Sequence, residues 1–248
     1  MSGGLPKVVA TAAVLGLAGA ARAMGQQASC PAPLAEALRL VVVTAAGFET
    51  STASIRTFQR VRAGAAWEPR LGPLAVTLGR SGLGWGWTAG ELRQGGEPIR
   101  QTGDNRTPAG IFRVRRAFGS KPTRLPGFLV LAKGETFCVD DPASEHYGRI
   151  VPHRLAGWKT TGEDMAANPL YASGLEVDYP PNAQRRAGGC LFIHIWRRPG
   201  VATTGSIATS EQTVRHLQGF TSAQPSAIAI LPEAALARLK TGCLPHLG

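Results

Sequence analysis

Short runs of β-branched and other apolar residues recur along the chain, and turns rich in glycine or proline separate them. Runs of this length and composition are typical of strands, whereas helices need longer periodic patterns. The pattern predicts strands at 38–44, 74–78, 81–87, 110–114, 136–139, 175–179, 191–196 and 227–231. It predicts fewer helices, at 54–62, 162–167 and 210–218. We therefore expect a mainly β domain, a sandwich or a barrel-like fold, with a few short covering helices.

The N-terminus has the three-part layout of a cleaved secretory signal. Residues 8–20 form an apolar run of 13 residues, which follows Lys7 and precedes the small-residue segment Ala-Arg-Ala at 21–23. A membrane-spanning helix needs roughly 20 apolar residues, so this run is too short to span a bilayer. We expect a signal peptide at 1–23, a single domain at 24–248, and no stable membrane insertion after cleavage.

The basic charge of the chain indicates an anionic partner. The formal net charge is +11, and removal of Lys7 and Arg22 with the signal leaves +9. Such a surface attracts polyanions, and after export the available polyanions belong to the cell wall rather than to nucleic acid. We therefore expect a wall partner and no nucleic acid. A basic surface that serves only solubility is the alternative.

Four cysteines form an even set, which in an exported chain predicts disulfides with three possible pairings. We favour Cys30 with Cys243, because this pair would tie the two ends of the mature domain. Cys138 and Cys190 then form the second pair. No two cysteines have the close spacing of a zinc site, so we expect no metal and no cofactor.

One histidine and one serine have a spacing that suits catalysis. His194 shares a strand face with Phe192 and Trp196, and Ser206 follows twelve residues later, before a helix that begins near Thr209. Thr209 and Gln212 have the spacing of a capping box for this helix. Free backbone N–H groups at 205–208 and the positive end of the helix would stabilise an oxyanion. The histidine would act as the base. By residue type alone, a structural role for these residues is the better interpretation.

Four separated motifs strengthen the catalytic interpretation. They are GDNRTPAGIF (103–112), CVDDPASEHYGRIV (138–151), GGCLFIHIW (188–196) and TTGSIA (203–208). In this order they resemble the YkuD-type L,D-transpeptidases, and in particular the exported short-domain branch of Gram-negative bacteria. The resemblance implies a periplasmic β-sandwich or barrel-like catalytic domain that crosslinks peptidoglycan.

The resemblance also implies a reaction and a set of site residues. In that reaction a cysteine attacks the carbonyl of an L-centre in a stem peptide, expels the terminal D-residue and passes the acyl group to a neighbouring amine. The catalytic histidine corresponds to His194, and the glycine before the nucleophile corresponds to Gly205. We expect substrate contacts from Thr203, Thr204 and Trp196.

The chain departs from the family pattern T-x-G-C at the nucleophile, where it has Ser206. A thiol is stored as a thiolate beside an imidazolium, whereas a serine must lose its proton during attack to a base held by a third group. The candidate third groups are Glu163, Asp140, Asp141 and Asp178. Two hypotheses remain: a stem-peptide acyl transferase with Ser206 as the nucleophile, and a non-catalytic member that binds peptidoglycan or regulates active relatives.

Overall fold

The computed structural model describes residues 1, 3–4, 30–157, 159–239 and 242–247, so the predicted signal at 1–23 lies almost wholly outside the described residues. Within these ranges, no helix has the length and apolar character of a membrane span. The elements in chain order are α1 (Ala32–Glu36), β1 (Arg39–Ala45), β2 (Thr52–Gln59), β3 (Glu68–Thr77), β4 (Leu83–Trp85), β5 (Thr107–Gly119), β6 (Leu129–Val130), β7 (Thr136–Val139), β8 (Ile150–Pro152), α2 (His153–Ala156), β9 (Gly162–Asp164), β10 (Ser173–Val177), β11 (Leu191–Ile195), β12 (Ile207–Thr209), α3 (Glu211–Ser222), β13 (Ser226–Pro232) and α4 (Glu233–Leu236). Single 3-10 turns occur at Gly90–Leu92, Met165–Ala167 and Pro169–Tyr171.

Eight strands form a closed barrel. Their order is β10, β11, β12, β3, β2, β1, β13 and β5, and β5 also pairs with β10, which closes the ring. Most neighbours are antiparallel, but β1 pairs in parallel with β13 and β11 in parallel with β12. The mainly β, barrel-like fold with a few short helices is therefore confirmed.

The centre of the core is the parallel pair of β1 and β13. Residues 40–43 of β1 and 227–231 of β13 are almost inaccessible to solvent. One face of this pair fills the barrel, and covering segments such as α1 pack on the other, so every position accepts an apolar side chain. The continuous run of aliphatic residues at 40–43 follows from this double burial. Helix α3 covers β5, β10 and β11, the strands that close the barrel.

A smaller three-stranded sheet, in the order β8, β7, β9, packs beside the barrel. It shares a second apolar cluster with the barrel, built from residues such as Phe118, Met165, Tyr171 and Phe192. The disulfide between Cys138 in β7 and Cys190, the residue directly before β11, joins this small sheet to the barrel. A second disulfide joins Cys30 to Cys243. Both predicted pairings are confirmed.

Three helix predictions need correction. The segment at 54–62 lies mostly in strand β2, because pairing with β1 and β3 on both sides overrides its short helical periodicity. The segment at 162–167 is a strand followed by a 3-10 turn. Helix α3 begins one residue later than expected, with Ser210 as the N-cap for the N–H of Thr213, and it continues past Gly219. Thr209 lies in β12 instead of capping this helix.

Glu97 is the acceptor for a cluster of donors that fixes the C-terminal segment to the barrel. Its carboxylate accepts from both terminal nitrogens of Arg238 at 2.6 and 2.7 Å, from Trp85 Nε1 at 2.7 Å and from the N–H of Gln94 at 2.8 Å. The hydrogen bonds from Arg238 lower the pKa of Glu97 to about 2, against an opposing effect of burial. Since the ordinary value is 4.5, the ionised carboxylate stabilises the fold.

A pH-dependent stability follows from this lowered pKa. A group with a depressed folded pKa stabilises the protein above its unfolded pKa, so the contribution of Glu97 is complete above pH 4.5 and is lost as the pH falls toward 2. We expect Glu97→Gln to cost about 2 kcal/mol of unfolding free energy at pH 7. The same substitution should flatten the acid side of the stability profile measured by urea denaturation.

Glu49→Gln is the matched control for this substitution. Glu49 also pairs with an arginine, Arg106, but its side chain is 74% exposed. An exposed pair contributes about 0–1 kcal/mol, so this variant should keep the acid profile of the native protein. An unchanged acid profile in Glu97→Gln would contradict the prediction.

Candidate functional site

The segment from Thr203 to Ser206 forms a tight turn that is fixed on both sides by the barrel. The N–H of Thr203 donates to the carbonyl of Leu78, and the carbonyl of Thr203 accepts from the N–H of Arg80. The Thr203 hydroxyl donates to the carbonyl of Ser206 at 2.6 Å. The same hydroxyl accepts from the N–H of Gly205 at 3.0 Å. Thr203, predicted to contact substrate, therefore uses its side chain to shape the turn.

Gly205 is required by the backbone of this turn. Its φ is 147°, a conformation that side-chain-bearing residues rarely adopt, and an added Cβ would lie 3.2 Å from the carbonyl oxygen of Arg106. The next residue, Ser206, is half-buried and lines a cavity of about 160 Å³. Its carbonyl is held by the hydroxyls of Thr203 and Thr107. Within the described ranges its own hydroxyl makes no hydrogen bond, so it is available to a ligand.

His194 lies on β11, is 6% exposed and pairs across the sheet with Ala208 of β12. Its Nδ1 lies 2.8 Å from the carbonyl of Ile195, and because a carbonyl only accepts, Nδ1 donates. Burial lowers the pKa of His194, with a smaller opposing effect of this hydrogen bond. The imidazole is therefore neutral near pH 7, with Nε2 free to accept a proton.

The structure places His194 and Ser206 in neighbouring cavities. His194 lines a cavity of about 370 Å³ together with Trp196 and Thr203, whereas Ser206 lines the smaller one. The two cavities have three lining residues in common, Glu163, Tyr171 and Thr204. Among the described residues, no hydrogen bond joins the imidazole to the Ser206 hydroxyl.

The wall between the two cavities is built by the small sheet and the turn after it. The Tyr171 hydroxyl donates to Glu163 at 3.0 Å, and Asn168 donates to the other carboxylate oxygen at 3.1 Å. Burial raises the pKa of Tyr171, and the charge of Glu163 raises it further. The Tyr171 ring meets the rings of Phe192 and His194 edge-on, at 5.3 Å in both cases. Sequence reasoning missed Tyr171, because it lies outside the four motifs that resemble the family.

Two features expected of this site are not present as predicted. Helix α3 begins five residues after Ser206, and strand β12 separates the two, so Ser206 does not lie in the turn directly before the helix. The group that orients His194 is the carbonyl of Ile195 rather than a carboxylate. Asp178 is paired with Arg115 and Arg149. Of the four acidic candidates, Glu163 lines both cavities.

Arg100 also lines the Ser206 cavity, and sequence reasoning missed it. Its guanidinium lies against the backbone of two glycines: a Cβ added at Gly188 would lie 2.6 Å from Nη2, and one added at Gly205 would lie 3.8 Å from it. Its only sequence signal is its place three residues before the motif at 103–112. The cavity thus combines a free hydroxyl with a fixed positive charge.

Comparison with known proteins gives weak structural likenesses. No family model and no curated protein matches the chain. The helical cell shape determining protein Pgp2 from Campylobacter jejuni matches with 13% identity and a TM-score of 0.36, over 79% of this chain and 48% of that chain. Bd1075 from Bdellovibrio bacteriovorus matches with 14% identity and a TM-score of 0.36, over 79% of this chain and 52% of that chain. The chain thus spans about half the length of these structures, and it resembles them too weakly to indicate its activity.

Proposed function

We propose that this chain is an exported protein that binds peptidoglycan stem peptides at an acyl-transfer site of the L,D-transpeptidase type, and that it acts in cell-wall crosslinking or remodelling. One observation carries the proposal. Ser206 lines a cavity that adjoins the cavity of His194, a neutral histidine whose Nε2 makes no hydrogen bond among the described residues and can act as a base. The four motifs that resemble the family and the basic charge of the domain support the same substrate class.

The proposal has a catalytic version, in which Ser206 is the nucleophile of a stem-peptide acyl transferase. His194 Nε2 would accept the hydroxyl proton as the oxygen attacks the carbonyl, and would return it to the leaving amine. A second amine or water would then take the acyl group. This version needs the imidazole and the hydroxyl to approach each other when substrate binds, because no hydrogen bond joins them in the described part of the chain.

The second version is a non-catalytic member that binds stem peptides or regulates active relatives. Among the described residues, no hydrogen bond joins the Ser206 hydroxyl to His194, and this favours the non-catalytic version. A serine hydroxyl without a hydrogen-bonded base is almost entirely protonated and is therefore a poor nucleophile. The two adjoining cavities, of about 160 and 370 Å³, supply the space in which a peptide would bind. We therefore expect binding from the native protein and little or no turnover.

The test is incubation of the purified, oxidised protein with a defined disaccharide-tetrapeptide, followed by calorimetry and mass spectrometry. We expect saturable binding and no dimer, tripeptide or acyl-enzyme. Ser206→Ala should bind the peptide with an affinity within about threefold of native, because the small hydroxyl supplies at most one weak contact. Products that Ser206→Ala abolishes would establish the serine enzyme instead. Absence of binding by both proteins would overturn the proposal.

A further inference from the structure

Arg100 is bonded differently from Arg60 and Arg238, two other arginines whose side chains are mostly shielded from solvent. Arg60 donates from Nε and Nη2 to three backbone carbonyls, and Arg238 donates from both terminal nitrogens to Glu97. In the described part of the chain, Arg100 donates only from Nη1, to the carbonyl of Gln101. Its Nη2, the atom beside Gly205, has no partner there. The Nε and Nη2 groups of Arg100 thus remain without acceptors in the described residues, whereas an arginine with only a structural role would donate them to protein oxygens.

The Nε of Arg100 is buried without a hydrogen-bond partner. Among the described residues, only one other buried side-chain polar atom, Thr57 Oγ1, is in this state. An unsatisfied buried donor costs about 1–3 kcal/mol, so the Nε of Arg100 needs an acceptor from outside the described residues, such as a ligand or an ordered water. The side chain of Arg100 is 13% exposed, so its charge is only weakly screened by water.

The nearby carboxylate of Asp104 does not neutralise this arginine fully. Its closest approach to the guanidinium is 3.5 Å, to Nη1. Both of its oxygens are already engaged in the turn, one by the N–H of Gln101 at 2.6 Å and the other by the N–H of Arg106 at 2.8 Å. The Nη2 side of Arg100, which faces the Ser206 turn, therefore carries positive charge that no group in the described ranges neutralises. A planar guanidinium of this kind suits a carboxylate ligand.

We propose that Arg100 binds the free α-carboxylate of the last residue of the stem peptide, on the leaving-group side of the site. This inference rests on the proposed function. Nη2 lies 3.8 Å from the Cβ position of Gly205, the residue directly before Ser206. One extended residue spans about 3.3–3.6 Å, so a carboxylate on Nη2 places the preceding peptide bond beside the Ser206 turn. Arg100 thereby selects stems whose last residue has a free carboxylate and directly follows that bond.

The test compares affinities for three ligands by calorimetry: the disaccharide-tetrapeptide, its C-terminal amide, and a tetrapeptide amidated only on its side-chain carboxylates. We expect the C-terminal amide to bind about tenfold or more weakly, because it loses a charge-assisted contact in a poorly screened site. The side-chain amide should bind like the parent peptide. Arg100→Gln should remove the preference for the free terminus, and Arg100→Lys should keep only part of it.

Arg93→Gln is the matched control, since Arg93 lines the neighbouring cavity together with Arg100 but does not line the Ser206 cavity. It removes the same charge, so it should leave the ratio of affinities for acid and amide unchanged. Equal binding of acid and amide by the native protein overturns the inference. The inference is also overturned if the Arg100→Gln variant still prefers the free C-terminal carboxylate over the amide. Weaker binding of the peptide that is amidated only on its side-chain carboxylates would overturn it too. If none of the three peptides binds, the proposed function fails as well, which distinguishes the two failures.

Discussion

The Ser206→Cys variant is expected to gain acylation by a carbapenem, or crosslinking of disaccharide-tetrapeptide, that the native protein lacks. A free thiol has a pKa near 8.5, and neighbouring positive charge lowers that value, whereas a serine hydroxyl stays protonated. Ser206 lies between the cavity of His194 and the charge of Arg100. If the acidity of the nucleophile is the missing property, the substitution restores it. Intact-protein mass spectrometry should show one added acyl group per chain.

The histidine supplies the control for this gain. His194→Ala on the Ser206→Cys background should reduce the acylation rate by about 10²–10⁴-fold, the usual contribution of a positioned acid–base group. A double variant that reacts as fast as Ser206→Cys would show that the thiol acts without His194. An inert Ser206→Cys protein that still binds stem peptides would show that the site has diverged beyond its nucleophile. That result would favour the binding or regulatory version of the proposed function.

Removal of the Cys30–Cys243 disulfide by a double alanine substitution is expected to cost about 5 kcal/mol of unfolding free energy. The bridge joins residues 213 positions apart, and the chain-entropy stabilisation grows with the length of the closed loop. Denaturant unfolding under non-reducing conditions measures the loss. Peptide mapping of the native protein without reductant should first show no alkylated cysteine.

The second disulfide is the matched comparison. Cys138 and Cys190 are 52 positions apart, so the same model predicts a loss about 1 kcal/mol smaller when this pair is replaced by alanine. Both double variants remove two half-buried or buried sulfurs, which makes the difference in loop length the main variable. A larger loss from the shorter loop would contradict the entropic explanation and would indicate that the small sheet depends on the bridge for its packing.

The fold was predictable from sequence where burial imposes a simple pattern. The aliphatic run at 40–43 and the alternation around His194 specify strands, and the even cysteine set allowed the two correct pairs. Residues 54–62 were assigned wrongly because Ile55 and Phe58 have the i, i+3 spacing of a helix face, whereas in β2 they point to opposite faces of the sheet and both are buried. Whether this segment forms a helix or a strand is decided by its pairing with strands from other parts of the chain, and the local sequence does not specify that pairing.

The candidate site was predictable only in part, for a similar reason. His194 lies in β11 and Ser206 directly precedes β12, the parallel neighbour of β11, so a short connection brings the two residues into adjoining cavities. Arg100 and Tyr171 reach the same cavity from distant segments, through the fold of the barrel and the small sheet. The orienting carbonyl of Ile195 belongs to the backbone, so no side-chain pattern could reveal it.

The Cys138–Cys190 bridge gives the site a dependence on its chemical surroundings. Both cysteines line the Ser206 cavity. Their bridge attaches the small sheet, which carries Glu163, to the barrel. In a thiol-rich compartment such as the cytosol, the two sulfurs would be reduced and this wall would lose its covalent attachment. The cavity would then be completed only after oxidation. A ligand that the protein meets before the bridge forms would find an unfinished pocket, so the bridge would make binding at this site depend on an oxidising environment.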